Sequence, residues 1–275
     1  MFLQRLLVAL ILLPIGLWAL FSSDISFAVF MILVCLIAGW EYDKMFRIGG
    51  YQPAKTSILG AVALSLGSVT ILKSVVPLEY LIPFIFIAAA YHLWKYENGR
   101  DEAVLDLTIS LAGIFYLGVL GSYFMAIRVL TGGEWWVFTV LTCVWWADVG
   151  AYMIGKNFGR HALAPRLSPK KTWEGYLSGI VFTLVGSPLL LKFYWLMDFN
   201  VPQEITIPRV MVLAAVMGIL PPLGDLTISM FKRYFKIKDT GRILAGHGGM
   251  LDRIDSWLWG VSIGYYLVTI LFLNS

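Results

Sequence analysis

The sequence predicts an all-α, polytopic integral membrane protein of about nine transmembrane helices. Three observations predict it. Hydrophobic residues make up 59% of the 275 residues and charged residues only 14%, against roughly 45–50% and 25% in ordinary soluble domains. Mean hydropathy is +0.78. The apolar residues gather in runs near the 20 or so needed to cross a bilayer. So few charges cannot coat soluble surfaces on a chain this long, and disorder is excluded by the same arithmetic. Eleven Trp, thirteen Tyr and seventeen Phe suit a lipid solvent, where aromatics anchor at both interfaces.

The runs fall at 6–22, 25–41, 56–72, 78–94, 107–130, 135–154, 175–197, 208–231 and 256–273. The first follows Arg5 but lacks a small-residue cleavage site, since Phe21 occupies one such position; it reads as a retained helix. Lys and Arg set the orientation. With the N-terminus inside, only Lys73, Arg128, Lys192 and Arg209 of the 21 Lys and Arg fall toward the outer side. The N-terminus is therefore expected in the cytoplasm and the C-terminus outside. Cys35 and Cys143 lie in apolar runs and read as buried side chains, without a metal or disulfide role. The acidic stretch Glu97 to Asp106 reads as a solvated loop. The chain reads as a single membrane domain, 1–275, with mainly scaffold spans over 1–130 and the chemistry-capable groups over 145–256.

Two acids lie inside apolar helices: Asp148, in WWADVGAYMIG, and Asp225, in GILPPLGDLTISMFK. A carboxylate in hydrocarbon costs about 2.5–3.5 kcal/mol even on the lenient insertion scale, so such groups face a polar cavity and a partner. A structural salt bridge between helices is the bland alternative. Asp148 lies about six residues, roughly 9 Å, from the expected end of its span. Pro221 and Pro222 should kink the span just before Asp225 and free backbone groups there. Asp225, Ser229, Lys232 and Arg233 then share one helical face.

The loop 232–255 is rich in Lys and Arg and carries Gly246-His247-Gly248-Gly249 before the last span. Glycine turns expose N–H groups that cradle anions, and the next helix presents its N-terminus. Asp252 and Asp255 stand at that helix start, where capping would also explain either one alone. Carboxylates beside an anion site are reconciled by Mg²⁺, which takes one or two carboxylates plus phosphate oxygens. The loop between spans six and seven holds Ser168-Pro169-Lys170-Lys171-Thr172-Trp173-Glu174-Gly175. Two lysines flanked by hydroxyls suit a polyphosphate; positive-inside bias explains some of the charge. Trp173 reads as an interface anchor. His161 and His247 are not spaced as joint metal ligands, and His247 is a candidate phosphate donor or acid/base. Together these features suit a divalent cation, a polyphosphate and a lipid substrate, hence phosphoryl or nucleotidyl transfer onto a lipid headgroup. A secondary transporter is the rival class, disfavoured because the polar apparatus occupies one half of the chain. A kinase or transferase acting on a different lipid alcohol or phosphate is a second rival.

Ser229-Met230-Phe231-Lys232-Arg233, then Lys238-Asp239, then His247-Gly248-Gly249-Met250-Leu251-Asp252-Arg253-Ile254-Asp255 resembles the signature of phosphatidate cytidylyltransferases. SPKKTWEG at 168–175 and ADVGAY around Asp148 resemble further blocks of that family. Ala245 departs from it, standing where the family usually has Pro or Gly. The resemblance implies transfer from CTP to phosphatidate with Mg²⁺, giving CDP-diacylglycerol and pyrophosphate. Asp225 and Asp252 are the implied metal ligands, with a second cation allowed and Asp148 and Asp255 as weaker candidates. Lys232, Arg233 and His247 join Asp225 and Asp252 as the expected catalytic set. Ser168, Lys170, Lys171, Thr172, Ser229, Lys238, Gly248 and Gly249 are the expected substrate-binding residues. The family also implies a homodimer and a bacterial cytoplasmic (inner) membrane. No nucleic-acid partner is expected.

Overall fold

The computed structural model describes residues 2–74, 78–243 and 248–273. His247, Ala245 and Gly246 therefore lie outside the described residues. Within the described residues each of the nine expected stretches is helical, and seven helices are long and apolar enough to cross a membrane. The protein is an α-helical integral membrane protein. Ile71 and Leu196 keep 81% and 78% of their surface uncovered, which only a lipid solvent makes inexpensive.

The chain divides into two compact units. The first comprises Met1–Val129 and Lys232–Ile254, the second Leu130–Phe231 and Asp255–Ser275. In the first unit, α1 (Phe2–Ser22) leads into α2 (Asp24–Ile48). Ser23 separates them as a capping box: its hydroxyl accepts the Ser26 N–H, and the Ser26 hydroxyl accepts the Ser23 N–H. Next come α3 (Lys55–Leu72), α4 (Ile82–Glu97), α5 (Ala103–Gly113), a π-helical turn over Ile114–Val119, and α6 (Leu120–Arg128). The Ser65 hydroxyl donates to the Gly118 carbonyl within that turn at 2.9 Å. Cys35, Ala38, Ile58, Leu66 and Phe124 are fully buried here.

Asp24 pairs with Arg128 at 2.7 Å and with Lys73 at 3.6 Å, so two of the outlying cations share one acid. Asp106 corrects the reading of the 97–106 stretch as a solvated loop. It is fully buried in the first turn of α5, is paired with Arg100, and accepts the Gln52 N–H at 2.7 Å. Arg100 and a backbone amide repay its desolvation.

The second unit holds α7 (Gly133–Phe158), a two-stranded antiparallel ribbon of β1 (Ala162–Ala164) and β2 (Ser168–Thr172), α8 (Trp173–Leu196), α9 (Ile207–Ile219) and the first part of α10 (Pro222–Tyr234). It also takes most of α11 (Leu251–Tyr266), which continues as a π-helical turn over Leu267–Leu273. The ribbon is an addition to the expected all-α architecture. Helices α7 and α8 pack closely through glycine: a Cβ on Gly179 would meet the Ala147 carbonyl oxygen at 2.7 Å. Trp136, Val140, Cys143, Leu213, Met217 and Leu258 form the buried interior. Cys35 and Cys143 are free and buried, as expected.

Candidate active site

The second unit carries one group of the polar residues singled out in the sequence. The two prolines act as expected: α9 ends at Ile219 and α10 begins at Pro222. The Leu223 N–H turns to the Leu220 carbonyl, and the Ile219 carbonyl accepts the Tyr176 hydroxyl at 2.9 Å. The break places Asp225 in the first turn of a new helix. Lys171, at the end of β2, brings its ammonium to 2.5 Å from Asp225 Oδ2. The Ser229 hydroxyl, one turn on, donates to Asp225 Oδ1 at 3.1 Å, so the face expected from spacing is formed. Ser229 is buried and its hydroxyl is spent on Asp225.

Lys170 and Lys171 stand in a strand, where neighbouring side chains point to opposite faces. Thr172 is the N-cap of α8, its hydroxyl accepting the Gly175 N–H at 3.1 Å. Ser168 begins the strand. His161 pairs with Glu174, and Glu174 also accepts the Arg160 and His161 amides. Trp173 is exposed at the start of α8. A cleft of about 690 Å³ opens in this unit, lined by Asp148, Tyr152, Lys156, Lys170, Lys171 and Thr172 among others. That volume suits a small-molecule ligand. Asp148 lies ten residues before the end of α7 at Phe158, about 15 Å along the helix. The distance exceeds the expected one because α7 extends four residues past the apolar run. Tyr152 and Lys156 line the same cleft and were not singled out from sequence; their spacing from Asp148, i+4 and i+8, is the signal that could have found them.

The first unit carries a second group of polar residues. Lys232, near the end of α10, places its ammonium 2.6 Å from Asp252 Oδ1. Both side chains are largely buried. Asp252 Oδ2 accepts the Thr240 N–H at 2.8 Å, the Thr240 hydroxyl at 3.0 Å and the Gly249 N–H at 3.1 Å. Asp252 thus closes the start of α11 and gathers the preceding loop around itself. Gly248 has φ +83°, the left-handed conformation that glycine adopts without strain. Arg233 and Lys238 are exposed. In the second unit, Asp255 is buried and accepts the Ser256 N–H.

One residue of this group went unnoticed in the sequence. Glu41 stands at the last position of the 25–41 apolar run. The structure extends α2 to Ile48 and buries Glu41 completely. Its Oε2 accepts the Leu251 N–H at 2.9 Å and the Thr240 hydroxyl at 3.1 Å.

The donor chemistry fits Mg²⁺. Asp225 and Asp252 each present hard carboxylate oxygens beside an ammonium. Among the described residues no group of three or more His, Cys, Asp or Glu is placed to hold a metal.

A profile of the cytidylyltransferase family matches residues 3–271. The phosphatidate cytidylyltransferase of Staphylococcus haemolyticus is 33% identical over 260 residues, covering 93% of this chain and 94% of that protein. The Staphylococcus aureus (strain COL) protein of the same name is 32% identical over 257 residues, with the same coverage. A Synechocystis protein of that name is 32% identical over 300 residues, covering 98% of this chain and 97% of its own length.

Proposed function

The chain belongs to the cytidylyltransferase family, and from that premise we propose that it joins CTP to phosphatidate, giving CDP-diacylglycerol and pyrophosphate. The observation that carries this reading is a pair of lysine-neutralised carboxylates, Lys171 with Asp225 and Lys232 with Asp252. Lys171, Lys232 and Asp252 lie in the blocks whose sequence resembles the family signature, and Asp225 stands four residues before one of them.

The phosphate oxygen of phosphatidate attacks the α-phosphorus of CTP. One P–O bond forms there, and the bond to the β-phosphate oxygen breaks with release of pyrophosphate. The attacking group is already an anion, so no strong base is needed. Catalysis is then mainly positioning and charge neutralisation. Lys170, Lys171, Lys232, Arg233 and Lys238 offset the charge of the triphosphate and the lipid phosphate. Ser229 holds Asp225, and the Thr240 and Gly249 amides hold Asp252. Asp225 and Asp252 are the residues that would hold Mg²⁺, with Asp148 and Asp255 as further candidates. Bound Mg²⁺ supplies Lewis-acid stabilisation of the phosphate oxygens. The cleft beside Asp148 and Lys170 is the candidate nucleotide pocket.

The finer topology belongs to the same proposal: nine spans, an N-terminus in the cytoplasm, a bacterial cytoplasmic membrane and a homodimer. The bias of Lys and Arg supports the orientation.

The test is a product assay on purified protein in detergent. Pyrophosphate release from CTP that requires phosphatidate, with CDP-diacylglycerol as the lipid product, is the expected result. A phosphorylated lipid with CDP release would assign a kinase instead. No turnover with either product would leave the transporter reading standing.

A further inference from the structure

Glu41 is a buried carboxylate with no part in the chemistry above. Its two oxygens sit where the 240–251 segment leaves and returns. Oε2 takes the Leu251 N–H and the Thr240 hydroxyl, while Oε1 has no hydrogen-bond partner among the described residues. The segment is shaped to admit it: a Cβ on Gly241 would stand 2.0 Å from Oε1, and one on Gly249 would stand 2.5 Å from Oε2 and 2.1 Å from the Thr240 hydroxyl. Thr240 then passes the contact on, because its N–H reaches Asp252 Oδ2 at 2.8 Å while its one hydroxyl proton is shared between Glu41 Oε2 and Asp252 Oδ2. Packing alone would be better served here by an apolar side chain, since an acid pays for desolvation. What a carboxylate offers instead is an acceptor that joins the two ends of one segment.

We propose that Glu41 is a positioning residue for Asp252. It clamps Thr240 to Leu251 so that the Thr240 and Gly249 amides converge on one oxygen of Asp252. The inference rests on the cytidylyl-transfer reading only for the use to which Asp252 is put; the clamp stands apart from it.

The experiment compares wild type with Glu41→Gln and Glu41→Leu in detergent, without nucleotide or metal. Hydrogen exchange is followed in peptides covering residues 240 and 249–251, alongside melting midpoints and separate kcat and KM for CTP. Glu41→Leu fills the same space without acceptors, and so separates packing from clamping. Glu41→Leu is expected to speed exchange in those peptides about tenfold or more while leaving the rest of the first unit protected, whereas Glu41→Gln keeps one acceptor oxygen and is expected to exchange nearly as slowly as wild type. Turnover of Glu41→Leu is expected to fall about ten- to a hundredfold, with KM for CTP changed less than about threefold. Wild-type exchange in those peptides of Glu41→Leu would overturn the proposal, whatever the turnover. So would faster exchange throughout the unit with a lowered midpoint, which marks a general structural role. Should the wild type form no CDP-diacylglycerol, the functional reading fails while the exchange result still decides the clamp.

Discussion

The Lys232 ammonium and the Asp252 carboxylate meet at 2.6 Å, with only 12% and 7% of their side chains exposed. Breaking one side of a buried pair leaves a charge without its partner and costs about 3–5 kcal/mol. Lys232→Met is therefore expected to lower the melting midpoint of the purified protein clearly, and to abolish CDP-diacylglycerol formation. Asp252→Asn keeps an acceptor for the loop amides and is expected to fold, with turnover reduced about a thousandfold or more. Near-normal turnover of Asp252→Asn at saturating Mg²⁺ would remove it from the site.

The companion pair, Lys171 with Asp225, behaves differently because it is wetter, with 29% and 34% exposed. Ion pairs with that much exposure contribute about 0–1 kcal/mol. Lys171→Met and Asp225→Asn are expected to leave the melting midpoint nearly unchanged and yet to lose turnover about a hundredfold or more. Thermal melts paired with the product assay read both effects on one sample. Chelation by EDTA should silence the wild type and be reversed by added Mg²⁺.

Asp106 provides the opposite case, a buried acid outside the site. Asp106→Ala strands Arg100 and the Gln52 amide and is expected to cost about 3–5 kcal/mol. Turnover per folded molecule should stay within about twofold of wild type, since such a change acts on stability alone. A specific loss of turnover with an unchanged midpoint would contradict this.

Gly179→Ala tests the close approach of α7 and α8. The new methyl would sit 2.7 Å from the Ala147 carbonyl oxygen, which is backbone and cannot swing aside. Overpacking of this kind costs about 1–3 kcal/mol, measurable as a lower midpoint. An unaffected midpoint would show that the two helices can separate freely.

The helices were legible because each apolar run reports its own solvent, and the Pro221-Pro222 break because proline acts locally. The face joining Asp225 to Ser229 was legible for the same reason: helical spacing carries it. Glu41 was not. Its partner Thr240 lies 199 residues along the chain, and its place at the end of an apolar run resembled an ordinary interfacial acid. Asp106 failed similarly, since an acid beside other acids looks solvated until Arg100 folds back on it. The ribbon of β1 and β2 is short and exposed, so no alternation of apolar residues announced it. Lys171 and Lys232 drew notice as charges, but which carboxylate each neutralises is a tertiary fact without a local signal.

The Tyr176 hydroxyl on the Ile219 carbonyl gives the proline break a further meaning. A helix interrupted by two prolines would ordinarily serve as a swivel. Here the last carbonyl before the gap is tethered to α8, and the first acid after it is tethered to Lys171, just ahead of α8. Two anchors on either side of an interruption restrain rotation as well as translation. The discontinuity in the chain is thus a braced joint, with Asp225 set beside the segment that neutralises it.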